Sequence, residues 1–76
     1  MEFPQYRKYK NGKSFFKIMS MDKFIEIQLI GHQFLKYEME AKILPDRNYI
    51  HDMLLDYTQN WDLITAEEFD KVNNKV

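Results

Sequence analysis

"YRKYKNGKSFFK", residues 6–17, carries five basic and four aromatic residues around one Asn-Gly, with no acid among them. Asn11-Gly12 between two aromatic runs predicts a β-hairpin, because a type I′ turn needs positive φ at both central residues and this pair adopts it readily. With 11 and 12 as the loop, Lys10 faces Lys13, Tyr9 faces Ser14, Lys8 faces Phe15, Arg7 faces Phe16 and Tyr6 faces Lys17. Opposed residues share a face of the sheet. One face therefore holds Lys8, Lys10, Lys13 and Lys17 with Tyr6 and Phe15 between them. The other holds Tyr9, Phe16 and Ile18 with Arg7 and Ser14, and reads as the core face.

Downstream, "KFIEIQLI" (23–30) alternates with Ile25, Ile27 and Leu29 inward and Glu26 and Gln28 outward. "FLKYEMEAKI" (34–43) alternates through Leu35, Tyr37, Met39, Ala41 and Ile43. A three-residue loop, Gly31-His32-Gln33, would align Leu29 with Leu35, Ile27 with Tyr37 and Ile25 with Met39. A two-residue loop would set Ile27 against Lys36 and Ile25 against Glu38, so the longer loop is expected. A helix over 34–44 is the competing reading, since Phe34, Tyr37, Ala41 and Leu44 also fit a helical stripe. The alternation favours a strand.

Pro45 ends that element. Asp46 is the expected N-cap of an amphipathic helix over 47–57, with Ile50, Met53, Leu54 and Tyr57 at i, i+3, i+4 and i+7. Trp61, Leu63 and Ile64 then return the chain to the core. A second helix opens at Thr65, whose side chain and Glu68 form a capping box, with Ile64 and Phe69 as its hydrophobic staple. The expected fold class is α+β: an antiparallel meander of about four strands, with one or two C-terminal helices packed on one face.

The chain has 76 residues, 45% of them hydrophobic and 16% aromatic. That length allows a single domain over 1–76, and that composition argues against disorder. There is no cysteine, so disulfides and thiolate metal sites are excluded and a cytoplasmic location is expected. No apolar run approaches the roughly 20 residues that span a bilayer, so no membrane association is expected. The net charge of −1 conceals an asymmetry: residues 1–17 hold five bases against one acid, and residues 18–76 hold six bases against eleven acids. A basic edge on an acidic body suits either a polyanion or head-to-tail self-association, but ordinary solvated charge is the favoured reading.

Three stretches, "KSFFKIMS", "EAKILPDRNYIHDML" and "WDLITAEEFDK", together resemble small bacterial conserved proteins of unknown function. The resemblance implies a compact bacterial domain and carries over no activity, cofactor, ligand or catalytic residue.

Enzymatic chemistry finds little footing. Ser14 and Ser20 lie in no nucleophile elbow, Glu67 and Glu68 are explained by a helix N-terminus, and Gly12 and Gly31 make no phosphate loop. Asp52 and Asp56 stand at i, i+4, but His51 is adjacent to Asp52 and five residues from Asp56 and so does not complete a helical metal site, and His32 lies far off. No catalytic residue, cofactor or metal is expected.

Two binding readings remain. The first is a non-enzymatic interaction module, self-associating or binding another protein through its sheet. If one face of the sheet is left uncovered, its apolar contact residues would be Phe15, Phe24, Ile30 and Phe34, near Met19 and Met21. A helix over that face, or a different assignment of the strand faces, would instead place them in the core, and the two outcomes weigh about equally. The second is a single-stranded nucleic-acid binder. Lys8, Lys10, Lys13 and Lys17 would neutralise phosphates, and Tyr6 and Phe15 would stack bases. Lysines on a strand edge also keep that edge soluble, which favours the first reading.

Overall fold

A computed structural model describes residues 1–76. It comprises β1 (Gln5–Tyr9), β2 (Ser14–Ser20), β3 (Lys23–Ile30), β4 (Gln33–Glu40), α1 (Leu44–Leu55), β5 (Trp61–Leu63) and α2 (Ala66–Asn73). The strands form one antiparallel sheet in the order β4-β3-β2-β1-β5. The α+β class, the meander and the two C-terminal helices are as the sequence predicts, except that the helices lie over opposite faces of the sheet and not over one. Residues 33–40 are strand, and the chain's return to the core at Trp61 is itself a fifth strand, β5.

The first hairpin has the expected register, with Tyr6 opposite Lys17, Arg7 opposite Phe16 and Lys8 opposite Phe15. Its turn is of another kind. Of Asn11 and Gly12 only the glycine has positive φ, at 73°. The Gly12 N–H donates to the Tyr9 carbonyl at 2.8 Å, so Lys10 and Asn11 are the central residues of the turn. Asn11 Oδ1 then accepts from the Lys13 N–H at 2.8 Å. Lys10 does not pair with Lys13, and its N–H donates to the Asn60 carbonyl at 3.0 Å.

The loop between β3 and β4 has two residues, Gly31 and His32, because Ile30 pairs with Gln33. Gly31 has φ 62° and His32 does not have positive φ, the pattern of a II′ turn with glycine first. The three-residue alignment is therefore corrected: Ile27 lies opposite Lys36 and Ile25 opposite Glu38. This register is tolerated because β4 is an edge strand, where Lys36 and Glu38 reach water.

Helix α1 begins earlier than expected. Ile43 occupies the N-cap position without a side-chain hydrogen bond, Pro45 lies in the first turn, and Asp46 is inside the helix. Proline suits the first turn, where its missing N–H would have had no partner. The expected cap of α2 is present, with Glu68 N–H donating to Thr65 Oγ1 at 3.1 Å. The carboxylate of Glu68 turns to Lys8 Nζ at 3.0 Å.

Each helix covers a separate core. On the face carrying Phe16, Ile18, Phe24 and Trp61, α1 contributes Ile50, Met53 and Leu54. That is the face expected to be core from the first hairpin. Its opposite carries Phe15, Ile25 and Ile27, against which α2 packs Phe69 and Val72. Strand parity enforces the division, since adjacent residues such as Phe15 and Phe16 point to opposite sides.

Candidate interaction surface

Burial on both faces redistributes the residues singled out in the sequence. Phe15 and Phe24 are 9% and 4% exposed and belong to opposite cores, so neither is a contact residue. Phe34 is half-buried beside the α2 core, with Lys75 Nζ 5.7 Å from its ring centre. Ile30 alone of the four is well exposed, at 53%. By register, Phe15 and Phe34 share one face and Phe24 and Ile30 the other, so the four form no common patch.

The basic–aromatic face is occupied from within the chain. Tyr6 packs on Phe69, ring centres 5.6 Å apart, and α2 lies over Phe15. Phe15 is buried and offers no free ring to a base, and Tyr6 is half-buried. Lys8 is paired with Glu68, and Lys10 Nζ meets Asp62 Oδ1 at 2.9 Å. Lys13 lies in the exposed turn and Lys17 is half-buried on β2.

Under α1, Tyr9 stacks on Trp61 at 5.2 Å, with Phe16 and Tyr49 edge-on to the indole. The Tyr9 and Tyr49 hydroxyls are 2.9 Å apart. Burial, then the hydrogen bond with Tyr9 and the nearby Glu26, hold the Tyr49 hydroxyl well above the ordinary tyrosine range. Trp61 Nε1 is buried without a partner. This cluster is packed interior, with no pocket opening on it.

The uncovered part of the sheet is its β4 edge. Leu35, Tyr37 and Met39 alternate along β4 and are 37%, 41% and 44% exposed. They share the α1 face, opposite Gln28, Glu26 and Phe24. Ile43 and Leu44, at the entry to α1, add exposed apolar surface. On the other face, Lys36 and Glu38 lie opposite Ile27 and Ile25 and take part in neither of the chain's ion pairs.

The sequence reading counted Leu35, Tyr37 and Met39 as inward residues of the wrong face and so missed this row. The usable signal was Gly31, whose first position in the loop suits a two-residue II′ turn.

No group of three His, Cys, Asp or Glu side chains converges, and no helix is long and apolar enough to cross a membrane. The chain matches no family model, no curated protein and no solved structure.

Proposed function

We propose that the protein is a small non-enzymatic interaction module that self-associates through its sheet, and that β4 is the contact strand. The observation that carries this reading is the exposed row Leu35, Tyr37 and Met39 on a strand with one unpaired edge. An edge strand presents free N–H and C=O groups, and apolar side chains beside them favour addition of another strand. A cysteine-free chain suits a reducing compartment, and a cytoplasmic location goes with this reading.

Sedimentation equilibrium of wild type and of Leu35→Ser/Met39→Ser tests the reading. The expected result is a concentration-dependent oligomer that becomes monomeric in the variant, with a cooperative urea transition retained. Association unaffected by the two serines would overturn β4 as the contact strand.

A further inference from the structure

We propose that the partner of β4 is the β4 of a second copy, paired antiparallel about a two-fold axis at Tyr37. This rests on the self-association proposed above and names its register.

Backbone geometry restricts the choice. The Ala41 N–H donates to the Asp22 carbonyl at 2.7 Å, continuing the β3–β4 ladder. Because backbone groups alternate in direction along a strand, odd-numbered residues of β4 bond inward to β3. Phe34, Lys36, Glu38 and Glu40 turn their N–H and C=O groups to the free edge. Two copies can therefore bond only in registers that pair even residues with even ones.

Charge selects among these registers. With Tyr37 opposite itself, Lys36 lies opposite Glu38 twice over, once for each copy, and Leu35 lies opposite Met39. Shifting the register one way sets Lys36 against Lys36; shifting it the other sets Lys36 opposite Glu40 but brings Glu38 against Glu38, so only the Tyr37-centred register has opposite pairs and no like pair. Opposite charges across a strand pair stabilise and like charges destabilise. Edge charges ordinarily discourage pairing, but here two opposite signs at i and i+2, neither satisfied within the chain, cancel in one symmetric arrangement. On the other face the same register joins the two Leu35-Tyr37-Met39 rows into one apolar strip. A two-fold contact of this kind closes on itself and gives a dimer.

The test combines charge exchange with a single-cysteine link in the full chain, which has no native cysteine. Lys36→Glu and Glu38→Lys are each expected to weaken dimerisation about tenfold by making two like-charged pairs. The double exchange K36E/E38K is expected to restore it. Urea midpoints of all three variants verify that the monomers fold. Tyr37→Cys is expected to form a disulfide-linked dimer on mild oxidation, since that position is a close, non-hydrogen-bonded pair. Leu35→Cys, four residues from its own copy in this register, is expected not to link. A wild-type dimer indifferent to the charge exchanges and unlinked through Tyr37→Cys would overturn this register and leave self-association standing. A wild type that is monomeric at its highest soluble concentration would overturn both.

Discussion

Arg7 Nε donates to the main-chain carbonyl of Met53 at 2.7 Å, tying the second-to-edge strand β1 to the last turn of α1. Arg7 is 4% exposed and is the only charged residue in the interior. Its remaining donors reach the Tyr6 carbonyl and Gln5 Oε1, and its guanidinium lies 4.7 Å from the Tyr57 ring centre. Burial pulls the guanidinium below its ordinary range, opposed in part by Tyr57. No carboxylate neutralises it. The helix supplies the compensating field: α1 has no basic residue in its own last turn, and a cation there meets the negative end of the helix dipole. Arg7→Ala should cost about 3 kcal/mol by unpairing the carbonyl and leaving a void, and Arg7→Met less, because it fills the space and removes a buried charge. Urea unfolding of the two variants decides this, and equal losses would refute the account.

Tyr49 gives the fold an alkaline limit. Its folded-state pKa is raised, so the folded chain holds a proton that the unfolded chain releases near pH 10. The stabilisation is complete below that pH and declines as pH rises toward the folded pKa, at up to about 1.4 kcal/mol per pH unit. Tyr49→Phe should flatten this limb while costing about 1 kcal/mol at neutral pH from the lost hydroxyl pair. Urea midpoints between pH 8 and pH 11, as a rough span around the tyrosine pKa, provide the measurement. An unchanged slope in the variant would exclude Tyr49 as its source.

The two cores should respond independently. Ile50 belongs to the α1 core and Val72 to the α2 core, with the sheet between them. Ile50→Val should cost about 1 kcal/mol and Val72→Ala about 2 kcal/mol, and the double variant should match their sum within about 0.5 kcal/mol. Coupling well beyond that would mean that the layers communicate through the strands.

Gly31 tests the short loop that sets the β4 register. A Cβ there meets open space, so any cost is conformational and arises from φ 62°. Gly31→Ala should destabilise by about 1 kcal/mol and Gly31→Asn by less, because asparagine tolerates positive φ. Thermal melts compare them, and a neutral alanine would argue against the II′ turn.

Much of this fold was legible in the chain. Ile25, Ile27 and Leu29 announced β3 by alternation, and Thr65 with Glu68 announced α2 through its cap. What escaped the sequence reading has physical causes. β5 is three residues long, too short to display a period. Alternation locates a strand but does not say whether its second face is dry. The adjacent pairs Phe15-Phe16 and Phe24-Ile25 did carry that message, since neighbouring large apolar residues on a strand require cover on both sides. Reading one side as open turned Phe15 and Phe24 into contact residues. The apolar row on β4 was displaced by a loop length chosen from side-chain matching, when backbone chemistry at Gly31 was the stronger constraint.

The strand order β4-β3-β2-β1-β5 separates the assembly of the sheet into two kinds of event. The hairpins joining β1 to β4 each close over a few residues, whereas Arg7 opposite Leu63 encloses most of the chain. Closing the larger loop carries the greater entropy loss, and its contacts form only after that loss is met. β5 is thus the clasp of the molecule. It stands in sequence between the helix of one layer and the helix of the other, so when it lets go, the meander can persist while both layers lose their common anchor.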